Sequence, residues 1–216
     1  MHNSIKNLIY IEDLIKSKVN HVELPIIIAV SKTFPIENVL PLIEHGHLHY
    51  GENKVQEALE KWSAIKNENH NIQLHLIGRL QTNKVKFALK IFDYIHSLDS
   101  EKLANKIADE QQKHRTKPKI FIQVNIGNED QKSGIDKKNL NNFYKFCKNL
   151  NLDIIGTMCI PPNDGNTEKY FSEMNDINKE LNFKELSMGM SGDYIEAIRY
   201  NATYVRLGSK IFGSRD

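Results

Sequence analysis

The chain has 216 residues, with 29 Lys plus Arg against 27 Asp plus Glu, a formal charge of +2, and 40% hydrophobic residues. That is the length of one domain, too apolar for a disordered segment, and its charges do not gather into the basic stripe that a nucleic-acid surface needs. Cys147 and Cys159 are the only cysteines, and without a secretory leader they are expected to be small buried hydrophobes in a reduced, cytoplasmic protein.

The opening segment MHNSIKNLIYIEDLIKSKV breaks its apolar residues with charges every few positions, which predicts an amphipathic helix rather than a signal peptide or anchor. No other stretch is long enough to span a bilayer, so no membrane role is expected. Strand-like runs then follow at Pro25–Val30, His47–Tyr50, Gln73–Ile77, Asp93–Ser97, Lys119–Asn125, Asp153–Cys159, Glu185–Met188 and Thr203–Leu207. Between them lie helical patterns near Ile36–His45, Val55–Lys66, Asn83–Phe92, Ser100–His114, Lys137–Leu150, Thr167–Leu181 and Asp193–Tyr200. Such alternation predicts an α/β protein with a parallel sheet and outer helices. Eight strands favour a single (β/α)8 TIM barrel over an open doubly wound sheet. The Pro161–Asn166 segment reads as a turn-rich loop rather than a boundary, so residues 1–216 form one expected domain.

In a parallel barrel the residues just past each strand form the active face. Lys32 follows Ile26–Val30, and period-two alternation sets it with Ile28 and Val30. If that face is the barrel interior, the amine is partly desolvated and suited to Schiff-base chemistry; otherwise it is a strand-end lysine turned to solvent. Arg206, inside Tyr204–Leu207, must meet an acceptor, either a carboxylate in a structural ion pair or a ligand atom such as a pyridine nitrogen. Gly208-Ser209 and Gly189-Met190-Ser191 supply backbone N–H groups and hydroxyls where TIM barrels commonly bind phosphate, and Asp193 is positioned to cap the next helix. His45, His47 and His49 alternate as a metal site would, but Gly46 reads as a helix C′ residue that separates His45 from His49, so no metal is expected.

Taken together, the strand ends Ala29-Val30-Ser31-Lys32-Thr33, Tyr50-Gly51-Glu52-Asn53, His75-Leu76-Ile77-Gly78, Ser187-Met188-Gly189-Met190-Ser191 and Val205-Arg206-Leu207-Gly208 match a known set. Further agreement lies at Val124-Asn125, Lys132-Ser133-Gly134-Ile135 and Met158 to Pro162. The chain resembles the pyridoxal phosphate homeostasis protein family. The resemblance implies a monomeric barrel like the N-terminal domain of bacterial alanine racemase, with pyridoxal 5′-phosphate held as a Schiff base on Lys32. Arg206 would face the pyridine nitrogen, Ser191, Gly208 and Ser209 would surround the phosphate, and Asn53, His75 and Met190 would line the cofactor. Two departures stand out: Asn201-Ala202-Thr203 replaces a frequent Gly-Ser-Thr, and Lys54 stands where a tyrosine is frequent.

An arginine facing the ring nitrogen keeps its own protons, so the ring stays largely unprotonated and draws electrons weakly. That disfavours transaminase-type chemistry and leaves a racemase-like enzyme or a cofactor carrier. The racemase site is completed by a tyrosine from a second domain, and this chain stops at Asp216. The expected role is therefore supply, buffering and transfer of the cofactor to PLP-dependent apoenzymes, without catalysis of its own. The competing reading is a barrel enzyme in which Lys32 forms an aldolase-like Schiff base with a phosphorylated metabolite.

Overall fold

Strands buried on both faces favour apolar runs such as Ile26–Val30 of the first strand, and eight short strands form one closed parallel sheet. The computed structural model describes residues 1–19, 24–129 and 133–214, so Lys132 and Asp216 lie outside the described residues. β1 (Ile26–Val30), β2 (His49–Glu52), β3 (Gln73–Leu76), β4 (Tyr94–Leu98), β5 (Lys119–Gln123), β6 (Asp153–Met158), β7 (Glu185–Met190) and β8 (Tyr204–Leu207) pair in chain order. β8 returns to β1 in parallel, with Ile26 opposite Tyr204 and Ile28 opposite Arg206, which closes a (β/α)8 TIM barrel.

Alternation along the strands separates two cores. Ile28, Val30, Tyr94, Phe121, Met158 and Tyr204 fill the barrel, backed by Ile26, Ile77 and Ile155. Ile27, Ala29, Val205 and Leu207 face the other way, into the layer beneath the helices. The helices are α1 (Asn3–Lys18), α2 (Leu40–Glu44), α3 (Val55–Glu68), α4 (Val85–Ala88), α5 (Glu101–His114), α6 (Leu140–Asn149), α7 (Thr167–Glu180), α8 (Tyr194–Arg199) and α9 (Ser209–Phe212). In α1, Leu8, Ile11 and Ile15 recur at helical spacing and are buried, and Asn7 Nδ2 donates to the Ile211 carbonyl of α9 at 3.0 Å. No helix among the described residues is long and apolar enough to cross a membrane.

Several boundaries differ from the sequence expectation. β2 lies two residues later than His47–Tyr50, because the Glu52 carboxylate is not a solvent-facing strand end. Glu52 is fully buried, and its Oε1 accepts from Ser31 Oγ at 2.8 Å, Lys61 Nζ at 2.9 Å and Trp62 Nε1 at 3.0 Å. Three of the expected helices begin as 3-10 turns, at Ile36–Asn38, Thr82–Lys84 and Lys137–Asn139. α4 ends at Ala88 rather than Phe92, where the chain turns so that Ile91 and Phe92 become buried. The one-turn α9 is too short to leave a periodic signal in the sequence.

Candidate functional site

At the C-terminal ends of the strands the barrel opens into a cavity of about 650 Å³. Lys32, Asn53, Met190, Ser191, Arg206, Gly208 and Ser209 all line it. His75 does not. It is fully buried inside the barrel, and the alternation of β3 gives the cavity position to Ile77, two residues nearer the open end.

Lys32 continues the inward row of Ile28 and Val30 two residues past β1, half-buried at the cavity wall. The next residue, Thr33, holds a left-handed backbone with φ 69°, an unfavourable state for a β-branched residue. Its N–H donates to Glu57 Oε1 at 2.6 Å, so a carboxylate from α3 secures the turn that carries the lysine. Asn53 reaches the wall beside Gly78, two residues past β3; a Cβ at Gly78 would lie 2.3 Å from the Asn53 carbonyl oxygen, so only glycine permits this approach.

Arg206 is 4% exposed. Its Nη1 donates to Ser187 Oγ at 2.7 Å and its Nη2 to the Cys159 carbonyl at 2.9 Å. Among the described residues it has no carboxylate within ion-pair distance, so the structural ion pair considered from the sequence is not formed. Burial pushes the guanidinium below its ordinary pKa, opposed by Cys159 and Asp193. A buried cation with two neutral partners, on the wall of an open cavity, retains donor capacity for a ligand.

Ser191, Gly208 and Ser209 meet where β7 and β8 end. Ser191 Oγ accepts from the N–H of Gly208 at 3.3 Å and of Lys210 at 3.5 Å. Asp193 stands at the cap position of α8 without capping it; its Oδ1 accepts from the Met190 N–H at 2.6 Å and so fixes the Met190–Asp193 turn. Gly189, at φ 89°, lets α8 pack close, since a Cβ there would lie 2.6 Å from Ala197 Cβ.

Arg79, Gln123, Ser133, Ile160 and Gly192 also line the cavity and were given no site role from the sequence, although Ser133 and Ile160 lie in segments that match the family. Arg79, Gln123 and Ile160 sit at or just beyond strand ends, so the strand-end rule applied to every strand would have found them. Gln123 Nε2 donates to the Ser133 carbonyl at 3.1 Å, which ties Ser133 to the end of β5 at the cavity wall.

The alternating histidines diverge. Gly46 takes φ 95° at the end of α2, His47 bonds to the His49 carbonyl, and the His49 ring bonds to His75. No group of three His, Cys, Asp or Glu among the described residues is placed to hold a metal ion. Cys147 and Cys159 are both buried, with thiols pushed up to about 12 by burial.

The family model for the alanine racemase N-terminal domain matches residues 11–216. The pyridoxal phosphate homeostasis protein of Aquifex aeolicus (strain VF5) is 38% identical over 199 residues, covering 88% of this chain and 86% of the relative. The chain belongs to the pyridoxal phosphate homeostasis protein family. Another relative of that name, from Escherichia coli (strain K12), is 31% identical over 200 residues, with 88% and 86% covered. Among solved structures, this family member is similar to PipY of Synechococcus elongatus PCC7942 with PLP bound, at 31% identity and a TM-score of 0.86, covering 97% of this chain and 100% of PipY. Alanine racemase from Clostridium difficile 630 shares the fold, at 15% identity and a TM-score of 0.75. That match covers 99% of this chain and 57% of the racemase.

Proposed function

We propose that the chain holds pyridoxal 5′-phosphate as a Schiff base on Lys32 and serves in supply, buffering and transfer of that cofactor to PLP-dependent apoenzymes. The observation that carries the reading is Arg206, a guanidinium buried in the cavity wall with only neutral acceptors among the described residues. Such a cation suits a ligand atom with a free lone pair, and an unprotonated pyridine nitrogen is one. The names of the homeostasis relatives and the PLP in PipY support the same choice.

The cofactor supplies an electrophilic aldehyde carbon, and the chain binds and orients it. Lys32 offers its amine from the end of β1, and Arg206 keeps its own protons and so leaves the ring nitrogen without one. Ser191, Gly208 and Ser209 would hold the phosphate, and Asn53 and Met190 would bind the rest of the cofactor. His75 reaches the site only through other side chains.

The residues described along the cavity include no histidine, tyrosine or carboxylate. Racemisation needs a second base opposite Lys32, and such general acid–base assistance is worth about a hundred- to ten-thousandfold. That supports a protein without catalysis at an enzyme-like rate, and the reading takes residues 1–216 as one cofactor-binding domain of a cytoplasmic monomer. The test is the visible absorption spectrum of the protein as isolated. A cofactor band that disappears in Lys32→Ala is expected; a colourless protein indifferent to added pyridoxal phosphate would overturn the reading in favour of a barrel enzyme acting on a phosphorylated metabolite.

A further inference from the structure

A chain of hydrogen bonds runs through the barrel interior from Arg206 to the opposite face. Arg206 Nη1 lies 2.7 Å from Ser187 Oγ, Ser187 Oγ 2.9 Å from His96 Nδ1, His96 Nε2 2.9 Å from His75 Nδ1, and His75 Nε2 3.0 Å from His49 Nδ1. The five side chains come from β8, β7, β4, β3 and β2. All but His49 are almost completely buried. His49 is half-buried and lines a pocket on the N-terminal face of the barrel with Glu12, Lys16 and His47.

The chemistry of the donors gives this chain a direction. Arginine can only donate, so Ser187 Oγ accepts from Arg206 and has one proton of its own to place. Among the described residues its remaining partner is His96 Nδ1. A neutral His96 that accepts at Nδ1 carries its proton on Nε2 and donates to His75 Nδ1; His75 repeats the pattern toward His49. The opposite polarity would leave a buried hydroxyl proton without an acceptor, which is unfavourable.

We propose that Ser187, His96 and His75 are positioning residues for Arg206, joined into a relay whose polarity reverses when His49 takes up a proton. A proton on His49 Nδ1 would confront the proton on His75 Nε2. His75 must then accept at Nε2 and carry its proton on Nδ1, and His96 must do the same. Ser187 Oγ now accepts from both Arg206 and His96, and the ring dipoles beneath the guanidinium are turned end for end. Burial holds His75 and His96 far below the ordinary imidazole pKa, so they change tautomer and not charge.

The groups around His49 are His75 on β3, Asp93 and Tyr94 at the start of β4, Lys119 on β5, His47 before β2, and Glu12 and Lys16 on α1. Burial, aided by Lys119, lowers its pKa, and Asp93 works against them. The relay thus ties the protonation of one face of the barrel to the guanidinium in the cavity on the other. The relay itself does not rest on the cofactor reading; only its effect on a bound pyridine ring does.

The test is histidine ring 15N–1H correlation spectroscopy on the ligand-free protein. At pH 8, His96 and His75 are expected to carry their protons on Nε2, and in Ser187→Ala both should become mixtures of tautomers. On acidification both should move to Nδ1–H with the midpoint at which His49 titrates, and in His49→Gln they should cease to follow pH. Nδ1–H on either ring at pH 8, or unchanged tautomers in Ser187→Ala, would overturn the polarity. Tautomers constant through the His49 midpoint, as a purely structural role requires, or unfolding before His49 titrates, would overturn the switch. No cofactor is used, so these failures leave the proposed function standing.

Discussion

Replacing Arg206 by methionine keeps much of the side-chain stem and removes the cation. In the ligand-free chain the change deletes the bonds to Ser187 Oγ at 2.7 Å and the Cys159 carbonyl at 2.9 Å. Bonds from a charged donor contribute about 1.5–3 kcal/mol each. Against that loss stands the penalty of burying a cation with no carboxylate beside it among the described residues, which is several kcal/mol and disappears with the charge. The two effects oppose each other, so Arg206→Met should change stability by no more than about 2 kcal/mol, or about 8 °C in Tm for a domain of this size. Affinity for pyridoxal phosphate should respond differently. Losing one charge-assisted bond to the ring nitrogen, about 1.5–3 kcal/mol, weakens binding by about 10- to 150-fold. Equilibrium titration of the apo-protein with the cofactor, alongside thermal melts of wild type and variant, measures both. A variant that binds within about twofold of wild type and melts more than about 10 °C lower would refute the reasoning and make Arg206 a structural residue.

Ser191→Ala and Ser209→Ala should each weaken cofactor retention by about 2- to 13-fold, the worth of one neutral hydroxyl contact of about 0.5–1.5 kcal/mol; unchanged off-rates in dialysis would remove both from the phosphate site. Glu52→Ala should destabilise by about 3 kcal/mol in urea unfolding, because the nearly buried Lys61 ammonium loses its nearest carboxylate and keeps the Ser31 carbonyl at 2.9 Å and Glu57 at 3.4 Å; a change below about 1 kcal/mol would contradict this. His47 is held down at about 4 by burial, and His49, His75 and His96 are lowered by the same cause, so the fold prefers neutral rings that the unfolded chain protonates near 6.5. Stability should therefore be full above about pH 6.5 and fall as the pH drops toward 4, with His47 alone accounting for about 3 kcal/mol; urea midpoints that stay flat across this window would contradict it.

The barrel was legible because strands buried on both faces leave apolar runs such as Ile26–Val30, and each of the first seven strand runs is followed by a helical pattern. The site was legible to the extent that its residues sit at strand ends: Lys32, Asn53, Ser191 and Gly208 follow directly from that rule. Charge misled the reading of β2, since Glu52 looks like a loop residue until Ser31, Lys61 and Trp62 surround its carboxylate. The surroundings of Arg206 were not legible either. Whether a buried arginine meets a carboxylate or a hydroxyl depends on which strands flank β8 and on their register. The histidine chain is hidden for the same reason, because Ser187 lies 91 residues from His96 in sequence and meets it only across the closed barrel. The resemblance set His75 against the cofactor, and its position within a strand does not give its depth along the barrel axis.

The central claim is that the amine of Lys32 carries the cofactor. Borohydride reduction of the holo-protein, followed by proteolysis and peptide mass mapping, tests it most directly. A single pyridoxyl-phosphate adduct on Lys32, absent when Lys32→Ala is treated in the same way, is the predicted result. An adduct confined to another lysine, or a bound cofactor that reduction leaves unattached to the chain, would contradict it.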